Sequence, residues 1–325
     1  MSILSQLFYV IFFPGMLFLL FYSFFVEWFD RKLYARMQNR VGPPIFQPFA
    51  DFIKLLSKED IIPKKAKKMF FNSIPIISFA AVMTAFLYIP IYSSQSPLGF
   101  QGDILLILYL TALPTLLLFL AGWYSGNLFS AVGAYRELSQ FFVYEVAFFL
   151  VILGPVILVD SWSISDIIRY QQNNLWMFLL EPIGLIVALI CLEAKLERVP
   201  FDIPKAETEI VGGTYAEYSG KKLALLRLTT NISMVVGASL ISALFLGGPI
   251  VLINIQSFPL VIRNIIGLIV FFLKTLFIIF ILSIIRTAFA RIRIDQMTTF
   301  GWKWLGSLSL LQIAILIIMK TWLVF

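Results

Sequence analysis

Carboxylates are the side chains of this sequence best suited to chemistry, and six of its eighteen acids fall within residues 192–220: Glu193, Glu197, Asp202, Glu207, Glu209 and Glu217. Long apolar runs flank that stretch on both sides. An ionised group near hydrocarbon costs several kcal/mol unless a partner or water offsets it. Closely spaced carboxylates offer proton or cation transfer, because protonation of one shifts its neighbours. A solvated acidic loop would also concentrate acids. Here they alternate with apolar and small residues, and Val199-Pro200-Phe201 and Ile210-Val211-Gly212-Gly213 would make a poor solvent loop. Pro200 and Pro204 stop a helix arriving from upstream, and Gly212-Gly213 allows close backbone approach. The expectation is a buried, irregular connection lined with carboxylates. Such backbone is tolerated at membrane depth only where protein or a water-filled cavity surrounds it.

Three further charges stand in or beside apolar runs. Glu145 and Lys274 fall inside expected membrane spans, where an ionisable residue is a functional hypothesis by default. Lys274 is expected to face the bundle interior and seek a carboxylate; structural pairing is the alternative to a role in proton transfer. Lys195 lies between Glu193 and Glu197, which share a face at i,i+4 if the helix continues. The sequence leaves open whether Lys195 joins the acids or points to the headgroups. Arginines form the complementary set: Arg31, Arg36, Arg40, Arg136, Arg198, Arg286, Arg291 and Arg293, the last followed closely by Asp295-Gln296. Arginine suits bidentate contact with carboxylates on a partner or across the acidic stretch. Anchoring to anionic lipid is the simpler reading of the basic residues near the N-terminus.

These residues must be positioned by membrane helices. The chain has 325 residues and is 60% hydrophobic, well above the apolar share of a soluble domain. It reads as a single integral membrane domain over 1–325, all-α and polytopic. Eight spans are expected near residues 3–29, 70–92, 103–121, 140–159, 175–196, 224–247, 261–285 and 303–324. Each is long enough for a hydrocarbon core of ~30 Å. The first apolar run reads as a span and not as a cleavable leader, because it is too long and lacks a basic start. The basic segment 30–69 contains Ile45, Phe46, Phe49, Phe52, Ile53 and Leu56 at helical spacing, with Asp51, Lys54 and Lys58 facing the other way. This is an amphipathic helix lying on lipid or a partner, with Pro48 in its first turn. All but Arg169, Arg263, Lys274 and Lys320 of the 25 lysines and arginines fall on alternate loops, which are therefore expected to be cytoplasmic, with both termini outside. The net charge of +7 thus reports topology and not nucleic-acid binding. With no histidine and Cys191 alone, the chain lacks ligands for a haem, zinc or iron–sulfur site of its own.

Arg198-Val199-Pro200-Phe201-Asp202, Glu207-x-Glu209 and Glu217-Tyr218-Ser219-Gly220 resemble the signature loop of the respiratory complex I membrane subunit called subunit 1, which membrane-bound hydrogenases also contain. Asp30 to Pro44 and Arg291-x-Arg293-x-Asp295-Gln296 are similar to two further signatures of that family. The resemblance implies a junction between a membrane arm and a redox arm, with acids at Glu145 and in the loop and a lysine at Lys274. It implies partners: hydrogenase-like large and small subunits, iron–sulfur proteins, and antiporter-like and small membrane subunits. Iron–sulfur clusters, and a nickel–iron site, would reside in those partners and no cofactor in this chain. Its role would be to couple electron transfer to movement of H+ or Na+. Two features look like the hydrogenase branch. Gly42-Pro43-Pro44-Ile45-Phe46-Gln47-Pro48 lacks the longer insert of quinone-reactive members, and Arg136-Glu137 follows the hydrogenase pattern. A quinone-binding subunit of a complex I-like dehydrogenase is the alternative. Lys195 departs from the family, which commonly has an acid there. A stand-alone secondary transporter is the reading from another class; it calls for inverted repeats, and none is visible.

Overall fold

An apolar chain in a bilayer must satisfy its backbone N–H and C=O groups internally, and helices do so residue by residue. The computed structural model describes residues 8–250 and 259–323, so the start of the first expected span and both chain ends lie outside the described residues. Among the described residues there are helices and no strands. After a helical turn at residues 8–11 come α1 (Met16–Met37), α2 (Gln47–Leu56), α3 (Lys68–Phe86), α4 (Asp103–Tyr124), α5 (Leu128–Val159) and α6 (Ile164–Asn173). Then follow α7 (Met177–Leu180), α8 (Pro182–Lys195), α9 (Glu207–Ile210), α10 (Gly220–Phe245), α11 (Leu260–Ala288), α12 (Ile294–Phe300) and α13 (Ser307–Leu323).

Seven helical stretches among the described residues are long and apolar enough to cross a membrane. The expected fifth span is the exception. It is divided into α7, of four residues, and α8, of fourteen, which rises only about 21 Å. The break falls at Glu181-Pro182, where proline has no N–H to continue the ladder. Other expected boundaries also move, and the second span ends at Phe86 instead of 92. The fourth span begins at Leu128 instead of 140, because Asn127 caps it by accepting from the Phe129 N–H at 3.0 Å. The last begins at Ile294 instead of 303 and passes through a π-helical turn at Gly301–Gly306 before α13. Gly301 has no alternative there, since any Cβ would collide with the Val143 side chain of α5.

Central position goes to α10. Its most apolar stretch is 83% buried, against 33% for α11 and 22% for the last helix. The amphipathic α2 forms as expected, with proline in its first turn. It buries Pro48 and Leu55, packs Phe49 and Phe52 near Phe24 of α1, and leaves Ile53 and Leu56 exposed. The exposed apolar surface of α11, α13 and α2 is available to lipid or partner subunits.

The expected topology has a direct check. Lys64 and Lys221 are exposed and lie on segments expected to be cytoplasmic, whereas Lys222 is buried on Asp60 at 2.9 Å. Cysteines replacing Lys64 and Lys221 are expected to resist an impermeant thiol reagent in intact cells and to react in inverted vesicles. Ready labelling in intact cells reverses the orientation.

Candidate functional site

The acidic stretch forms the irregular connection expected of it. Helix α8 ends at Lys195, and the chain then makes a 3-10 turn at Ile203–Lys205, the single turn α9, and a second 3-10 turn at Gly213–Tyr215. Phe201, Ile203, Ala206 and Ile210 are buried and anchor it against the bundle. Gly213 has φ +56, and its Cα would lie only 2.7 Å from a Cβ on Gly133 of α5, so both positions require glycine.

The six acids divide by environment. Glu193 is fully buried and Glu197 nearly so, Asp202 and Glu217 are half-buried, and Glu207 and Glu209 are exposed. Glu193 and Glu197 do not share a helix face, contrary to the i,i+4 reading. The helix stops first, and Glu197 takes a left-handed backbone conformation at φ 50 that turns it away.

Four clusters result. In the first, Lys205 Nζ lies 2.9 Å from Glu197, with the buried Glu137 of α5 against the same pair. The Tyr215 ring faces the ammonium at 4.6 Å. Burial alone would push the Lys205 ammonium down, but Glu197, Tyr215 and Glu137 outweigh it and hold the pKa well above the usual lysine value.

In the second, Lys195 donates to Glu145 at 3.2 Å and to the Thr111 hydroxyl at 3.2 Å, with the Phe148 ring 5.2 Å away. Lys195 therefore joins the acids and does not reach the headgroups. A cavity of about 20 Å³ lies between this pair and the first cluster. It is lined by Lys195, Glu197 and the hydroxyls of Thr111, Thr115, Thr229 and Ser233, and its size is that of about one water.

In the third, Asp30 accepts from Arg198 at 3.1 Å, Arg286 at 3.0 Å and the Ser283 hydroxyl at 2.8 Å. Glu193 faces these charges without a direct hydrogen bond of its own. The Arg286 guanidinium also lies 4.3 Å from the Tyr34 ring.

In the fourth, Glu27 pairs with Arg31 and Asn231, and Arg31 extends to Asp51 of α2 at 2.8 Å. Asp51 loses some solvation, yet the bonds from Arg31 and Gln47 outweigh this and hold its carboxyl below the usual value. An open cavity of about 290 Å³ lies beside this cluster, lined by Glu27, Arg31, Lys205, Glu207, Tyr215 and Arg227.

The remaining candidates are placed as follows. Arg136 donates to Glu209 at 2.5 Å, and Arg291 bridges Asp202 at 3.0 Å and Glu209 at 3.6 Å. The Arg136 hydrogen bond draws the Glu209 carboxyl below its usual pKa. These arginines thus cross the acidic connection. Glu217 accepts from the Asn127 cap of α5 at 2.5 Å. Arg293 and Asp295 open α12, where the Gln296 side chain accepts from the Arg293 N–H at 3.0 Å. Arg36 and Arg40 stand at the end of α1, apart from the four clusters. Lys274 is also apart, and the carboxylate expected for it is replaced. It donates to the carbonyls of Leu246, Gly248 and Ile250 at 2.6 to 2.8 Å, against the Trp176 ring. A cation at the C-terminal end of α10 complements the helix dipole. Among the described residues no group of three or more His, Cys, Asp or Glu is placed to hold a metal ion.

Sequence reasoning left Glu27, Asp30, Glu137, Lys205 and Asn231 out of the candidate set. A signal existed for one of them: Glu137, Gln140 and Tyr144 recur on one face of an otherwise apolar helix, and all three are buried.

The chain is similar over most of its length to known proteins. A family model described as NADH dehydrogenase matches residues 9–317. A subunit of the NADH-quinone oxidoreductase of Carboxydothermus hydrogenoformans is 36% identical over 304 residues, covering 92% of this chain and 85% of the relative. Subunit 8 of the NADH-quinone oxidoreductase of Thermus thermophilus is 37% identical, covering 88% and 80%. Among solved structures, the membrane-bound sulfane sulfur reductase, an archaeal respiratory membrane complex, contains a chain with TM-score 0.83 and 27% identity, covering 92% of this chain and 96% of that one. With nearly its whole length matched, the chain belongs to the NADH dehydrogenase family, that of complex I subunit 1, and is a membrane subunit of a respiratory complex.

Proposed function

We propose that the chain is the junction subunit of an ion-pumping redox complex. The observation that carries this reading is the row of charged groups running from the exposed connection into the bundle: Glu207 at the open cavity, then Lys205, Glu197 and Glu137, then Lys195 and Glu145 across the small hydroxyl-lined cavity. Electron transfer takes place in partner subunits that carry the iron–sulfur clusters. A change of charge or shape at the connection alters the protonation of the row, and the change passes to the antiporter-like subunits alongside. The ion moved is H+ or Na+.

The face bearing α2, the connection and Arg291 to Gln296 is the docking surface for the redox arm. Replacing Arg291 and Arg293 together by Glu sets like charges against Asp202 and Glu209 and is expected to loosen that arm. These charges are partly exposed, so each contact contributes only about 0.2–1 kcal/mol, and the effect should emerge as earlier release of the arm in rising salt. Purification in mild detergent is the measurement: the native chain is expected to co-purify firmly with iron–sulfur partners. Retention of the arm by the double variant at native salt tolerance removes the docking role, and a native chain that purifies without redox partners removes the junction reading itself.

A second reading, quinone binding, draws on the names of the curated relatives and on the 290 Å³ cavity opening between α1 and the connection. The short Gly42–Pro48 segment and the charged lining of that cavity weigh against it. Turnover of the purified complex is expected without added quinone. Strict dependence on quinone, with turnover abolished by filling the cavity through Leu223→Trp, would establish the second reading.

A further inference from the structure

A titratable group lies well outside the row just described. Glu181 sits at the break between α7 and α8, fourteen residues of helix from Lys195 and at the opposite end of α8 from the carboxylate connection. It is 1% exposed. Among the described residues its polar contact is with Gln312 of α13, whose Nε2 donates to Glu181 Oε2 at 2.8 Å. Among the described residues, two acceptor atoms of this pair remain without a donor: Glu181 Oε1 and Gln312 Oε1. The backbone has made room for the pair. A Cβ on Gly154 of α5 would lie 2.8 Å from Cδ of Glu181 and collide with its carboxyl, and one on Gly184 of α8 would lie 2.7 Å from Cδ of Gln312 and collide with its amide.

We propose that Glu181 and Gln312 form a proton-binding site, separate from the carboxylate row, in which one exchangeable proton joins the two unpartnered oxygens. A carboxylic acid and a primary amide pair through two antiparallel hydrogen bonds. The amide N–H donates to the carboxyl C=O, and the carboxyl O–H donates to the amide C=O. The first bond is present, and the two atoms of the second are those left over. The ionised form would put a negative charge in a place closed to solvent with one oxygen unsatisfied, which is the costlier state. The proton reaches the site from water and returns to it, so no other reactant is involved. The site gives the bundle a second protonatable station, at the far end of α8 from Lys195.

Infrared spectroscopy of the assembled complex in membranes tests this, and the test is independent of whether Glu145 relays charge. The spectrum of native complex minus Glu181→Gln should show the carbonyl stretch of a protonated carboxyl, and that band should shift in D2O. Glu181→Gln retains an amide–amide pair and is expected to assemble. In Gln312→Leu the band should move to higher frequency, because the acid has lost its hydrogen-bonding partner. This measurement stands even if Glu181→Gln fails to assemble. A difference spectrum without such a band, or a band unmoved in Gln312→Leu, overturns the proposal.

Discussion

Asp30→Ala is expected to leave the respiratory complex largely unassembled. Asp30 is 2% exposed and is the shared anion of Arg198, at 3.1 Å, and Arg286, at 3.0 Å. It comes from α1, Arg198 from the connection after α8, and Arg286 from the end of α11. One carboxylate thus ties three separate parts of the chain. Removing it leaves two guanidinium groups whose remaining nearby carboxyl, Glu193, makes no direct hydrogen bond to either. Loss of one member of a buried pair costs about 3–5 kcal/mol, because the partner remains as an uncompensated charge. That is a large part of the roughly 5–15 kcal/mol by which native proteins are stable. Asp30→Asn should be milder, since its side-chain oxygen still accepts from Ser283 or one arginine. Adding Arg286→Leu to Asp30→Ala should recover part of the loss by removing one stranded charge. The measurements are the yield of assembled complex and its melting temperature in detergent. Assembly of Asp30→Ala at native yield and melting temperature would show that the connection is held by something else.

The sequence made the helices legible because composition and periodicity report them directly. An apolar run long enough to cross a bilayer has few alternatives, and α2 announced itself through Phe49, Phe52, Ile53 and Leu56 with proline in the first turn. The break in the fifth span was less visible. Pro182 is tolerated in many membrane helices, as Pro75, Pro114 and Pro155 are here, so proline alone does not separate a kink from a break. The irregular connection was legible from Pro200, Pro204 and Gly212-Gly213. Which charges pair with which was not, because the partners come from distant parts of the chain. Asp30 and Arg286 are 256 positions apart, and Asn231 and Glu27 are 204 apart. Lys274 shows the limit of reasoning from residue type. A lysine inside a span needs neutralising or solvating groups, and three carbonyls at a helix end serve as well as the carboxylate expected for it. Glu193 and Glu197 show another: one residue in the left-handed region ended the periodicity on which the pairing was based.

Replacing both Glu145 and Lys195 by Gln is expected to abolish most ion translocation while leaving assembly and much of the electron transfer in place. Glu145 pairs with Lys195 at 3.2 Å, and the lysine side chain is 6% exposed. Glu145→Gln alone is ambiguous, because it strands that ammonium and lowers assembly for a purely structural reason. The double variant removes both charges together and keeps the hydrogen-bonding groups that Thr111 and its neighbours meet. It therefore separates the two roles. If the pair only holds α5 against α8, two glutamines can bond to each other across the same gap, and the complex should pump normally. If Glu145 and Lys195 relay charge, neither glutamine can titrate between the connection and the bundle, and the relay ends at the small cavity beside Glu197. The measurement is ions moved per electron transferred, taken on sealed vesicles matched for assembled complex. A native ratio in the double variant would remove Glu145 and Lys195 from the path. A ratio near zero with electron transfer retained would place the coupling step at this pair.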